Sequence, residues 1–366
     1  MKIEVEATNF NLAVGTASRA VSLRPTTPVL NNILIEAQEG GVKVTGTNLD
    51  TTVGVWVPAK VIEKGETTAP ARVLGELMSN IKEDKATIEL DKETLNIRTN
   101  KINAKIPTIA AAEFPRMAQN GESNKEKISK AVFMEAIGEV KIAASQDESR
   151  PVLTGIMFKP GGKGATLVST DGYRLAKKEV PIPLKEEVIL SARDLGELAK
   201  IAALLEEDYL TMEVSADTNQ VGFTIGNTEY STKVIAGDFP SFEQIIPKDF
   251  VSTVILEKQA LLDSIKVAST FAKDLGNVVH FTFEEKKTFV SASSNNTGEG
   301  KIILDANVSG QPINIAFNSR FITESVASLS SDKVEVRFAG PVNPALIKPE
   351  SDDSLIYIVM PVRTQS

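Results

Sequence analysis

The sequence predicts an α+β protein built from three copies of one unit, each carrying two helices on one face of a mostly antiparallel sheet. Three observations predict it: segments that recur at a near-constant interval, short Val- and Ile-rich runs broken by turn signals, and helices with a stripe of small residues. The interval is the firmest of the three. PVLNNILIEA starts at Pro28 and PVLTGIMFKP at Pro151, so the two lie 123 residues apart in a chain of 366. That is close to one third of its length.

The elements follow in order. MKIEVEATNF alternates charged and apolar residues and reads as a first strand rather than a leader peptide. FNLAVGTASRAVS has helical spacing, with Ala13, Ala17, Ala20 and Val21 on one stripe. Its counterpart FMEAIGEVKIAAS carries Ala136, Val140, Ala143 and Ala144, and at the same interval of 123 Phe10 matches Phe133 and Gly15 matches Gly138. Small residues of this kind let a helix lie close on a sheet. Thr47 in VTGTNLD precedes Thr170 in VSTDGYRLA by 123 once more. The offset then slips to 121 for ARVLGELMSNI (from Ala71) against ARDLGELAKIA (from Ala192), and to 125 for Phe114-Pro115 against Phe239-Pro240. Changes in loop length between equivalent elements produce such slips.

The third copy is fainter. ALLDSIKVASTFA (from Ala260) is its first helix and VVHFTFEEKKTFVSAS (from Val278) its hairpin. NSRFITESVASL (from Asn318) is the second helix, with Arg320 standing where Arg72 and Arg193 stand. LIYIVMPVR matches NAKIP and STKVI, the closing strands of the other two copies. Turn signals recur at EGG (39–41), DG (171–172) and TNQ (218–220). The polar stretch QNGESNKEK (119–127) and the PKD turn at Pro247 read as linkers, which divides the chain into domains 1–124, 125–248 and 249–366.

Composition bounds the function classes. Hydrophobic residues make up 42% and charged residues 24%, the mix of an ordinary globular protein. The longest apolar runs, VVHFTF and YIVM, fall far short of the ~20 residues that span a bilayer. With no cysteine there is neither a disulfide framework nor thiolate chemistry. A cytoplasmic protein is expected. A net charge of −8 argues against coating nucleic acid with the whole surface, yet permits one basic face. No phosphate-cradling GxxxxGK[ST] loop occurs, since GGKGATL (161–167) has the wrong spacing. The single histidine, His280, sits mid-strand without metal-ligand spacing and reads as structural. Asp50, Asp171 and Asp238 fall in turns, where Asp caps backbone, and no cluster suits a nuclease metal. No catalytic residue, metal or cofactor is expected.

Taken together, RPTTPVLNNILIE, TGTNLD, RPVLTGIMF, STDGYRLA, FPSFEQIIP and YIVMPVR resemble the bacterial DNA polymerase III beta subunit family, the sliding clamps, over the whole chain and in order. TDGYRLA and the MPVR ending are the most specific pieces. The resemblance implies three similar clamp domains in a crescent, with two crescents closing head to tail into a homodimeric ring. Helices would line the hole and sheets form the outer wall. The implied role is non-catalytic: a processivity factor that encircles double-stranded DNA and tethers DNA polymerase III.

Such a ring needs weak, sequence-blind attraction to phosphate and no base readout. The candidates are Arg24, Arg72, Arg193 and Arg320, with Gln146 and Arg150 at positions that family members use near DNA. The competing reading of arginines at helix starts is pairing with nearby carboxylates. Lys141, Lys200 and Lys266 lie on helices and could equally be solvated.

For partner proteins the resemblance implies a hydrophobic groove. One wall is Ile358, Val359, Met360, Pro361, Val362 and Arg363. The other is Leu153, Thr170, Gly172, Tyr173, Arg174, Leu175 and Pro247. The alternative for the first wall is a last core strand. Implied ligands are short linear segments of the polymerase catalytic subunit, the clamp loader, translesion polymerases and mismatch repair proteins. The subunit boundary falls near Ala104 and Ile106 on one side and Phe271 on the other, although Phe271 could be core. The contrasting class is a multi-domain peptide-binding scaffold that never encircles DNA.

Overall fold

A computed structural model describes residues 1–22, 27–116, 125–162, 164–215, 218–285, 287–294 and 296–363. The described residues form six α-helices: α1 (Ala7–Ala17), α2 (Ala71–Asn80), α3 (Lys130–Val140), α4 (Ala192–Ala202), α5 (Lys258–Ser269) and α6 (Ser319–Ala327). Two fall in each copy of the repeat. The chain divides into two compact units, Met1–Ala131 with Glu197–Val234, and Val132–Gly196 with Ile235–Ser366. The middle copy contributes strands to both.

In the first unit an eight-stranded sheet runs in the order Glu126–Ser129, Tyr209–Ser215, Gln220–Ile225, Thr228–Lys233, Thr51–Pro58, Gly41–Thr47, Asn32–Gln38, Gly65–Pro70. A five-stranded sheet orders Lys60–Glu63, Lys2–Glu6, Lys85–Asp91, Thr94–Arg98, Asn103–Pro107. Neighbouring strands are antiparallel throughout. Alternation in KIEVE turns Ile3 and Val5 inward. Helix α1 packs on strand Thr51–Pro58 and on α2. Its stripe explains the closeness: Phe10, Ala13, Val14 and Ala17 are all buried. At Gly46, on the neighbouring strand, an added Cβ would stand 2.1 Å from the Ala17 carbonyl oxygen. Only glycine fits there.

The second unit repeats the plan. Its nine-stranded sheet runs Val188–Ser191, Gly155–Gly161, Gly164–Thr170, Arg174–Val180, Leu355–Val359, Ala345–Pro349, Lys333–Phe338, Ser252–Glu257, Ala306–Gly310. A four-stranded sheet orders Gly298–Ile303, Phe289–Ser294, Val278–Phe283, Ile313–Asn318. Ala136, Val140 and Ala143 are buried, as their counterparts Ala13, Ala17 and Ala20 are. Phe281 meets Phe317 edge-on at 5.8 Å and Phe283 lies 5.3 Å from Phe338, which ties the small sheet to the large one.

Each large sheet is thus assembled from two copies of the repeat. In the first unit the junction is Thr51–Pro58 against Thr228–Lys233, with Thr51 opposite Thr232. In the second it is Arg174–Val180 against Leu355–Val359, with Arg174 opposite Val359. The strand following the conserved-register threonine of one copy meets the closing strand of the next. Among the described residues no helix is long and apolar enough to cross a membrane.

Candidate functional site

The turn Thr170–Arg174 is fixed by its own side chains. Thr170 Oγ1 donates to the Arg174 carbonyl at 2.6 Å and accepts from the Gly172 N–H at 3.1 Å. Asp171 Oδ1 accepts from the N–H groups of Tyr173 and Arg174, each at 2.9 Å. This wrapping puts Gly172 at φ +92°, a region glycine enters without steric cost. The junction then brings in the distant partner strand. Leu175 lies opposite Ile358, and the Met360 N–H donates to the Tyr173 carbonyl at 2.9 Å.

Eight of the sequence candidates therefore gather at one place, but in two layers. Leu175, Ile358 and Val359 are fully buried, and Thr170 and Arg174 nearly so. Leu175 and Ile358 join a core cluster with Met157, Phe242 and Leu346, against which Ile246, the neighbour of Pro247, also packs. Leu153 is buried too, in the 3₁₀ turn Pro151–Thr154, with its carbonyl accepting from Ser145 at 2.8 Å. Thr170, Arg174, Leu175, Ile358 and Val359 form the buried layer. Exposed above it are Gly172, Tyr173 at 63% and Met360 at 38%. Past Met360 the chain follows strand Ile313–Asn318, the Val362 N–H donating to the Ala316 carbonyl at 2.8 Å. Pro361, Val362 and Arg363 there border a cleft of about 460 Å³ with Pro341, Val342 and the exposed His280. IVMPVR thus starts as a buried core strand and ends at the border of that cleft.

Sequence reasoning missed the residues that pack against Tyr173 and Arg174. The rings of Tyr173 and Phe321 stack with centroids 6.5 Å apart, and the Arg174 guanidinium lies 4.7 Å from the Phe321 centroid. Arg174 is buried and must be compensated. Its Nε pairs with Asp171 at 3.1 Å and its Nη1 with Glu324 at 2.5 Å. Burial alone would raise the Glu324 carboxyl, but hydrogen bonds from Arg320 and Arg174 carry it below its usual range. Nothing in NSRFITES marks Phe321 as more than a first-turn apolar residue. Val342, 69% exposed, carried no signal either.

The candidate arginines occupy one register. Arg72, Arg193 and Arg320 are the second residues of α2, α4 and α6, a position where the helix dipole disfavours a cation. Each has a glutamate four residues on. Arg72 Nε pairs with Glu76 at 2.9 Å and Arg320 Nε with Glu324 at 2.6 Å. In the middle copy Glu197 instead binds Arg19 at 3.1 Å and Lys200 at 2.6 Å, while Arg193 is exposed. Gln146 and Arg150 are exposed in the loop between Ala143 and Pro151. Arg24 lies outside the described residues.

Of the boundary candidates, Ala104 and Ile106 sit on Asn103–Pro107, the edge strand of the five-stranded sheet. Ile106 is buried within its own unit and Ala104 half-buried. Phe271 follows α5, half-buried, with its ring against the backbone of Gly300, where an added Cβ would meet it at 2.4 Å. Gly300 belongs to Gly298–Ile303, the edge strand of the four-stranded sheet, and Ile303 at its end is 79% exposed. Among the described residues no three His, Cys, Asp or Glu side chains converge as a metal site.

Comparison with known proteins places this architecture. Models of the N-terminal, central and C-terminal domains of the DNA polymerase III beta subunit match residues 1–118, 127–241 and 243–363. The beta sliding clamp of Streptomyces coelicolor is 28% identical over 378 residues, with 99% of each chain covered. The crystal structure of the Bacillus subtilis DNA polymerase sliding clamp superimposes with a TM-score of 0.94 at 25% identity, covering 100% of both chains. A Bartonella birtlesii sliding clamp bound to griselimycin matches with a TM-score of 0.94 at 26% identity, again over 100% of both. The chain belongs to the DNA polymerase III beta subunit family, the non-catalytic sliding clamps of bacterial DNA replication.

Proposed function

We propose that two copies of this chain close head to tail into a ring around duplex DNA. Each copy would offer partner proteins one hydrophobic groove at Tyr173 and Met360. The observation that carries the ring is a strand left over at each end of a repeating scheme. Twice, the strand after the threonine turn of one copy pairs with the closing strand of the next. The first copy's closing strand, Asn103–Pro107, and the third copy's Gly298–Ile303 are both sheet edges. Two chains satisfy both edges by the same pairing, which removes an aggregation-prone feature from each. The exposed Ile303 and the opposite charges of Lys105 and Glu299 suit that junction. Ala104 and Ile106 lie on the first of these edges, and Phe271 packs against the second at Gly300.

Domains 1–124, 125–248 and 249–366 then contribute six segments to one ring, at work in the cytoplasm. Arg193, Gln146, Arg150 and Arg24 attract phosphate without reading bases, and Arg72 and Arg320 contribute less because each already holds a carboxylate. Tethering raises a partner's effective concentration on its template, so no bond need be made or broken by the clamp itself. Short hydrophobic segments of the polymerase catalytic subunit, the clamp loader, translesion polymerases and mismatch repair proteins compete for the groove. Griselimycin, bound by the Bartonella relative, is expected to bind here as well.

The test is retention on DNA. The protein should stay on a nicked circular plasmid after loading, leave when the plasmid is cut, and run in solution at twice the 39.4 kDa chain mass. A single-chain mass, or retention after linearisation, would leave only a peptide-binding scaffold. Replacing Met360 and deleting the chain from Pro361 should abolish polymerase stimulation with the ring still closed.

A further inference from the structure

The first copy of the repeat contains the docking turn a second time. Thr47 Oγ1 donates to the Thr51 carbonyl at 3.0 Å and accepts from the Leu49 N–H at 3.1 Å, as Thr170 does for Arg174 and Gly172. Asn48 Oδ1 accepts from the N–H groups of Asp50 and Thr51 at 3.0 and 2.7 Å, as Asp171 does for Tyr173 and Arg174. The Lys233 N–H donates to the Asp50 carbonyl at 2.9 Å, the same distance as Met360 to Tyr173. The backbones are one design. The side chains are not: Leu49 stands for Gly172, Asp50 for Tyr173 and Lys233 for Met360.

Each exchange works against a hydrophobic peptide. Leu49 is held at φ +79°, where a leucine is strained, although glycine serves at the same place in the other turn. An added Cβ at Gly172 would meet nothing within 4 Å, so the second copy leaves open the space that Leu49 fills. Asp50 and Lys233 close on each other, Nζ to Oδ1 at 3.0 Å, where Tyr173 and Met360 present exposed apolar surface. The pair is itself solvated, at 70% and 49% exposure, and adds little stability. An apolar ligand laid over it, however, must strip water from both charges and return no hydrogen bond.

We infer that Leu49, Asp50 and Lys233 silence a second copy of the docking groove, so that each chain offers one hydrophobic-peptide site where its repeat supplies two. The inference rests on the groove reading above and deepens it. A ring of two chains then carries two docking positions, and partners must take turns rather than spread over four.

The probe is an acetylated, amidated pentapeptide of leucine and phenylalanine, titrated calorimetrically into the full-length protein. The parent chain should bind one peptide, and Met360→Asp should bind none. Adding Leu49→Gly, Asp50→Tyr and Lys233→Met to the Met360→Asp chain should restore one site per chain. No restored site, in a chain with unchanged circular dichroism and melting temperature, would overturn the inference. So would two sites on the parent, which leaves the groove reading intact. A parent that binds nothing ends the groove reading, and the inference falls with it. The reciprocal exchange does not depend on the grafted chain folding. Tyr173→Asp with Met360→Lys should weaken binding at least tenfold, and affinity within threefold of the parent would refute the silencing role of the charge pair.

Discussion

Tyr173 and Phe321 come from different copies of the repeat, yet their rings stack 21° from parallel with centroids 6.5 Å apart. Tyr173 stands exposed on the Thr170–Arg174 turn, and Phe321 rises from the first turn of α6. The stack gives the exposed Tyr173 ring an aromatic neighbour across the junction between copies. Beneath it Arg174, tied to Asp171 and Glu324, braces the Phe321 face.

Phe321→Ala should therefore weaken peptide docking without opening the ring. An aromatic pair is worth about 0.5–1.5 kcal/mol beyond its buried area, which predicts a roughly 2- to 13-fold rise in Kd. Calorimetry with the hydrophobic pentapeptide measures it. An unchanged Kd would remove Phe321 from the wall.

The carboxylate beneath the stack gives a pH prediction. Arg320 and Arg174 hold Glu324 below its ordinary 4.5 against the opposing effect of burial. A depressed carboxylate contributes stability that is present above the unfolded value and lost as pH falls through the folded one. Glu324→Gln should cost about 1.5–3 kcal/mol near neutrality and approach the parent in acid. Glu139 behaves oppositely: burial raises it despite Lys178 at 3.1 Å, so its contribution fades as pH rises through the raised value. Melting temperatures of both glutamine variants from pH 3 to 8 should diverge in opposite directions.

Ile303→Asp tests the junction between chains. The side chain is 79% exposed in the single chain, so folding should be unaffected. Burying an isoleucine is worth about 1.5–3 kcal/mol, so the dimer constant should weaken by roughly one to two orders of magnitude. Sedimentation of parent and variant decides it.

Arg193 and Arg72 share a register but not a partner, and their contributions to DNA affinity should differ. Removing one phosphate contact lowers the slope of log K against log salt by about 0.9. Arg193→Ala should show that loss on a duplex, and Arg72→Ala, whose charge Glu76 already neutralises, a smaller one. Equal slopes would mean that the Glu76 pair opens on DNA.

Much of this molecule was legible because its elements recur. The offset between Phe10 and Phe133 needs no knowledge of sheets, and the alanine stripes follow from helical spacing alone. The assembly of large sheets from strands of two copies was not legible. Strand Thr51–Pro58 meets Thr228–Lys233 across more than 170 residues, and no local pattern encodes a partner so distant. The same limit hid how deeply some of the candidate residues lie. Leu175 and Ile358, expected at a groove surface, are buried in a core cluster, since alternation gives a face but not what covers it. Phe321 stayed invisible because an apolar residue in a helix's first turn looks the same whether or not a distant ring covers it.

The strand Leu355–Val359 is the latest in chain order, yet it occupies the centre of its nine-stranded sheet. A chain emerging from the ribosome therefore holds Arg174–Val180 with one bare edge until the third copy's Leu355–Val359 has been made. Until then that edge is open to wrong strand pairing, and Leu355–Val359 both covers it and brings Met360 onto the Thr170–Arg174 turn.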